Sequence, residues 1–169
     1  MRARILTFLA VLVLVAGCSS KPQDTGAVAV DTGDFVSETV TTTTVESVGV
    51  VPGSEQDLVV NVGDRVFFSF DSYSLMPEGR VTLERQAAWL RQYPNVNLIL
   101  EGNCDERGTR EYNLALGEKR AMAAKNYLIS LGIDASRLQT ISYGKERPAV
   151  AGNDEAAWAQ NRRTVSVVQ

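Results

Sequence analysis

The stretch from Leu100 to Arg120, LEGNCDERGTREYNLALGEKR, constrains the fold of this chain more than any other. It begins at the end of an apolar run, Val96, Leu98, Ile99 and Leu100, with the length and composition of a buried strand. It then turns polar through Asp105, Glu106, Arg107, Gly108 and Thr109 and settles into helical spacing. A strand that ends in a charged turn and feeds a helix is a favoured place for a ligand. Backbone N–H groups at the helix start attract anions, and loop side chains are free to point at a guest. The turn supplies a carboxylate at Asp105 and the helix a guanidinium at Arg120. Spacing alone admits two readings of that pair: a clamp for a group carrying both charges, or an ion pair pinning loop to helix. Arg120 falls on or beside the apolar stripe marked by Leu116 and Ala123, where an arginine is unfavourable unless an acid meets it.

Several chemistries are excluded. The chain has no histidine, which removes Ser-His-Asp and Cys-His catalysis together with the commonest zinc ligand. Its net charge of −3 gives no sign of nucleic-acid binding. Asp105 and Glu106 are adjacent carboxylates in a turn, a placement that suits a solvated or ion-paired loop better than acid/base hydrolysis. No enzyme activity, metal or cofactor is therefore expected.

The first residues have the layout of a secretory signal. Arg2 and Arg4 precede an apolar run from Ile5 to Val15, too short to span a bilayer, and the small pair Ala16-Gly17 follows. Next comes Cys18. Val15-Ala16-Gly17-Cys18 resembles a bacterial lipobox, in which the cysteine is lipidated and the peptide is cut before it; an ordinary cleaved signal with an incidental cysteine is the alternative. Several acyl chains on one residue give a firm anchor, at roughly 0.8 kcal/mol per buried CH₂. Residues 1–17 are thus read as signal peptide and 18–57 as lipidated N-terminus and tether. From Ser19 to Asp57 there is no helical period, a threonine tract at Thr41 to Thr44, and an excess of acids over the single Lys21. Such a segment cannot offset its ordering entropy. Its reach is roughly 35 Å as a flexible coil and roughly 130 Å pulled straight. A loosely attached strand over Phe35 to Val51 is the second reading.

Residues 58–169 read as one domain of standard size. Val59, Val60 and Val62 suggest a short extra strand before a first main strand near Arg65 to Phe70. Pro77 opens a helix with a buried stripe at Leu83, Ala87 and Leu90, and Pro94 ends it. The second strand is expected over Val96 to Glu101. Thr109 is the candidate N-cap of the second helix, whose stripe is Leu116, Ala123, Ala124, Tyr127 and Leu131 and whose stop is Gly132. A third strand over Leu138 to Tyr143, a short helix over Asp154 to Gln160 and a last strand over Thr164 to Val168 follow. The expected architecture is α/β, a two-layer βαβαβ(α)β sandwich with helices packed on one mixed four-stranded sheet.

These residues carry a resemblance. Glu101 to Thr109, EGNCDERGT, resembles the EGHADERGT signature of the peptidoglycan-associated lipoproteins, a group with an OmpA-like domain. Tyr112 to Ala121, YNLALGEKRA, is similar to their YNxxLGxxRA helix, and Ser142 to Pro148 and Asn161-Arg162-Arg163 match two later signatures. The resemblance covers the whole domain and implies non-covalent binding of peptidoglycan through the diaminopimelate of its stem peptide. It assigns Asp105 to the ligand's ammonium and Arg120 to its carboxylate, with Arg107, Thr109, Asn113 and Leu116 lining the pocket and Phe70 and Asp71 completing it. It further implies an outer-membrane lipoprotein anchored at Cys18, with the domain in the periplasm. Its partners would be peptidoglycan and the Tol system, including the periplasmic β-propeller protein, and its role would be in envelope integrity and constriction at division. Three departures stand out. Asn103 replaces the family's usual histidine, which implies weaker pH dependence near neutrality, Cys104 follows it, either as a small apolar filler or as a reactive thiol beside Arg107, and Arg110 stands where a proline is frequent.

Overall fold

The computed structural model describes residues 49–169. The signal peptide, the Cys18 lipidation site and the tether up to residue 48 lie outside the described residues. The described chain opens with a single helical turn, α1 (Glu55–Asp57), which runs directly into a π-helical turn over Leu58–Val62. The extra strand expected at Val59 to Val62 is therefore absent. Leu58 and Val62, four apart, both point into the core while Val59 and Val60 face solvent, which is a helical pattern and not an alternating one. Ser54 caps the turn by accepting from the Asp57 N–H at 3.2 Å. Asp57 in turn accepts from the Gly53 N–H and from the indole N–H of Trp89, both at 2.8 Å, so this segment is bound into the domain.

Four strands follow the expected order but shift in extent. β1 is Arg65–Phe67, shorter than the expected strand, with one further bond in the same register from the Phe68 N–H to Arg162 O at 2.9 Å. α2 is Pro77–Gln92, with Leu83, Ala87 and Leu90 fully buried as its spacing predicts. β2 is Leu98–Asn103, two residues further along than expected, since the Val96 N–H is taken by Tyr93 O in the turn after α2. α3 is Arg110–Ser130, β3 is Leu138–Gly144, α4 is Glu155–Asn161 and β4 is Arg163–Val168. In α3 the buried line runs through Leu116, Gly117, Arg120, Ala121, Ala124 and Leu128, so Ala123, Tyr127 and Leu131 sit at its margin. Gly132, at a φ of 91°, ends the helix.

The sheet order is β1-β4-β2-β3. β4 is antiparallel to both β1 and β2, and β2 is parallel to β3 through the α3 crossover. β1, β2 and β3 therefore all point the same way, and the loops leaving β1 and β2 emerge on one edge, with the start of β4 between them. Val66, Leu98, Leu100 and Leu138 on the covered face pack against Leu83 and Leu90 of α2 and Ala121, Ala124 and Leu128 of α3, with Leu58 closing the N-terminal end. This is the two-layer mixed sandwich read from the sequence.

One contact sets the spacing of the layers. A Cβ placed on Gly102 of β2 would lie 1.8 Å from Gly117 O of α3, and one placed on Gly117 would lie 2.3 Å from the Ser142 hydroxyl. Strand and helix backbones touch here, at the turn of helix that leads to Arg120. Gly102→Ala is expected to destabilise the domain by about 3 kcal/mol or more, because backbone and not a flexible side chain must move, as read by chemical denaturation. At the other end, hydrogen bonds from Asn61, Trp89 and Gly53 hold Asp57 below its ordinary value of 3.8. A carboxylate with a depressed folded pKa stabilises above its unfolded pKa and loses that contribution as pH falls through the folded one. Asp57→Ala should therefore lower Tm at neutral pH, with the difference from the parent shrinking as pH is taken below about 3.8.

Candidate functional site

The loops leaving β1 and β2 meet the first half of α3 at a cleft of about 170 Å³. Its lining comprises Phe70, Asp71, Asp105, Arg107, Gly108, Tyr112, Asn113, Leu116 and Arg120. Of the residues read from the sequence, only Thr109 is missing. Its hydroxyl caps α3, accepting from the Tyr112 N–H at 3.2 Å, and so serves the helix and not the cleft wall.

Arg120 is 1% exposed, yet no ion pair joins it to Asp105 among the described residues. Backbone carbonyls take that place. Its Nε donates to Ser72 O at 2.8 Å, Nη1 to Asn103 O at 2.9 Å and Nη2 to Ser69 O at 3.3 Å, and its guanidinium lies 5.2 Å from the Phe68 ring centroid. One side chain thus ties the β1–α2 loop and the end of β2 to α3. Each terminal nitrogen carries two hydrogens and gives one to a carbonyl, which leaves one apiece. Burial pushes the pKa of Arg120 down, but no carboxylate neutralises it directly.

Asp105, 4% exposed, pairs instead with two other arginines. Arg107 Nη2 lies 2.6 Å and Arg162 Nη1 3.3 Å from its Oδ2, while the Arg107 N–H donates to Oδ1 at 3.2 Å. Burial alone would raise its pKa; the hydrogen bonds from Arg107 and Arg162 outweigh that and hold it below the ordinary value, so Asp105 is ionised at neutral pH. The Arg107 guanidinium is stacked between the rings of Phe70 and Trp158, at 4.0 and 4.1 Å from their centroids. Arg162 also reaches Glu155 at 2.6 Å and Phe68 O at 3.1 Å. This third arginine stands at the start of β4, between the two loops, which is why it can brace both.

The remaining members fix the loop. Asn113 donates to Arg107 O at 2.8 Å and Thr109 O at 3.0 Å, and Lys145 reaches Glu106 O and Gly108 O at 3.0 and 2.7 Å. Asn161 accepts from the Ala149 and Val150 N–H groups at 2.7 and 3.1 Å, pinning the loop before α4. Tyr112 donates its hydroxyl to Asp71 Oδ1 across the cleft mouth. Tyr112, Arg162 and Trp158 had been given no role in the sequence reading. Tyr112 shares a helical face with Leu116 and Arg120 at steps of four, so its spacing does signal it. For Trp158 no sequence signal exists, because its contact with Arg107 is made across the fold.

Cys104 is buried, its thiol meets Asn113 O at 3.3 Å, and burial pushes its pKa up to about 11. It therefore stays protonated at neutral pH and fills space. Asn103 is likewise buried and donates to Glu101 O at 3.0 Å.

Comparisons with known proteins place the sequence and the fold. The OmpA family model matches residues 67–162, from β1 to the end of α4 and across every cleft residue. The peptidoglycan-associated lipoprotein of Rhizobium meliloti is 44% identical over 99% of this chain and 88% of its own length. That of Agrobacterium fabrum is 56% identical over 69% of this chain and 66% of its own. The crystal structure of the peptidoglycan-associated lipoprotein from Burkholderia pseudomallei is 46% identical, covering 63% of this chain and 90% of that one at a TM-score of 0.61. The C-terminal domain of Helicobacter pylori MotB, 21% identical at a TM-score of 0.59, shares the fold. With a family model over more than half of the chain and relatives aligned along nearly all of it, the chain belongs to the OmpA family, among the peptidoglycan-associated lipoproteins.

Proposed function

We propose that the cleft binds peptidoglycan non-covalently through the diaminopimelate of its stem peptide, and that the chain tethers the outer membrane to the cell wall. The supporting observation is the cleft's charge arrangement. A buried guanidinium with one free N–H on each terminal nitrogen lines the same small cavity as two carboxylates, Asp105 and Asp71. The far end of diaminopimelate carries an ammonium and a carboxylate on one carbon, and a single acid and base a few ångström apart complement it. Arg120 takes the carboxylate, which a planar fork holds by parallel hydrogen bonds. Asp105 takes the ammonium, with Asp71 beside it. Arg107, Asn113, Leu116 and Phe70 form the walls, and Thr109 acts through the helix it caps.

The same arrangement favours binding over catalysis. Asp105 is held ionised by two arginines, and Glu106 does not line the cleft but accepts from the Trp158 indole at 3.1 Å. On this reading Cys18 carries the lipid that holds the chain in the outer membrane, with the domain in the periplasm. The relatives are named peptidoglycan-associated lipoproteins, which supports both halves of the tether. The assignment to the Tol system, with its periplasmic β-propeller protein as partner and a role in outer-membrane invagination at division, rests on the family resemblance.

Asp105→Asn keeps the shape of the side chain and removes its charge. A charge-assisted hydrogen bond contributes about 1.5–3 kcal/mol, so binding to purified sacculi should weaken by about ten- to a hundredfold. The parent protein should lose a comparable amount toward a stem peptide with lysine in place of diaminopimelate, which lacks the carboxylate for Arg120. Unchanged binding by a folded Asp105→Asn variant would overturn the clamp. Separately, Cys18→Ser should abolish palmitate labelling and move the chain out of the outer-membrane fraction.

A further inference from the structure

The bond across the cleft mouth between Tyr112 and Asp71 has no part in the clamp just described. Asp71 is the only non-glycine residue with positive φ among the described residues, at 51°, a region that side chains seldom adopt and aspartate tolerates better than most. It stands on the β1–α2 loop, which Arg120 already fastens from below through Ser69 O and Ser72 O. The loop's position therefore does not depend on Tyr112. Tyr112 itself is 52% exposed and is free to turn outward.

The two carboxylates of the cleft differ in how fully they are engaged. Asp105 accepts from two guanidiniums and a backbone N–H. Asp71 accepts a single side-chain hydrogen bond among the described residues, from a neutral phenol. The phenol's bond to an ionised carboxylate is already charge-assisted, but an ammonium brings a full formal charge to the same oxygen and adds direct Coulombic attraction. An ammonium entering the cleft therefore finds at Asp71 a carboxylate with spare acceptor capacity, held by a weaker competitor.

We infer that Tyr112 is an exchangeable latch: its hydroxyl occupies Asp71 in the empty cleft, and the ammonium of the ligand displaces it. The inference rests on the zwitterionic ligand proposed above and adds a specificity role to a residue outside the clamp. A ligand without the ammonium has nothing to offer Asp71 in return and must bind with the latch shut or leave the carboxylate unpaired. The latch thus lowers affinity somewhat for every ligand and lowers it most for those lacking the positive centre.

The sign of the effect makes the inference testable. Tyr112→Phe keeps the ring and removes the hydroxyl. Titrating the full chain in detergent with a tripeptide ending in meso-diaminopimelate, Tyr112→Phe should bind about tenfold more tightly than the parent, the equivalent of losing one hydrogen bond to a charged group to compete with. In an Asp71→Asn background the same substitution should have much less effect, because the carboxylate it frees is gone. If Tyr112→Phe binds the tripeptide equally or more weakly while the parent binds it, the hydroxyl either does nothing or holds Asp71 for the ligand, and the latch is overturned alone. If the parent fails to bind the tripeptide, the proposed ligand falls and the latch falls with it.

Discussion

The cleft depends on one buried guanidinium and three carbonyl oxygens. Arg120 donates to the β1–α2 loop at Ser69 and Ser72 and to the end of β2 at Asn103, and so ties both to α3. An arginine removed from water among neutral acceptors keeps its charge, and its field is not cancelled by a bonded acid. Had an aspartate met it directly, the fold would be held equally well and the cleft would be electrically quiet. Carbonyls give the mechanical tie and leave the positive charge without a bonded counter-ion.

Asp105 shows the opposite arrangement. Two arginines and a backbone N–H surround it, and one of those arginines is stacked between two rings. The stacking fixes Arg107 in a single orientation without a second carboxylate in direct contact at its face, and Glu155 approaches only at 3.8 Å. The site thus separates the two signs of charge: one is braced by side chains from α4 and the start of β4, the other by main chain. Cys104 and Asn103, where the family signature has other residues, lie buried behind this arrangement. Neither side chain lines the cleft.

Most of the fold was legible in the sequence because periodicity reports burial directly. Leu83, Ala87 and Leu90 marked the inner face of α2, and the alternation of strand and helix marked a layered sandwich. Shifts of one or two residues came from local hydrogen bonds that spacing does not encode, such as the turn at Tyr93 and Val96 that delays β2. The valine-rich entry was misread because Val59, Val60 and Val62 favour extended backbone, while the Ser54 cap and the anchored Asp57 carry the chain into a helical turn there. For the site, the stripe of α3 correctly put Arg120 indoors. The identity of its partners was invisible, since carbonyls have no letter in a sequence. Arg162 and Trp158 were hidden for a related reason: their contacts span 57 and 52 positions to Asp105 and Glu106, and nothing local announces them.

The sheet order bears on how the molecule comes to exist. β4, the last element in chain order, lies in the interior of the sheet, between β1 and β2. Until it arrives, β1 has no neighbour and β2 has only β3, so the ladder is open on both sides of the gap. The strand also brings Arg162, which joins the two loops at the cleft. A chain that becomes available from its leading end thus cannot complete its sheet, or brace the two loops of the cleft, until β4 has emerged.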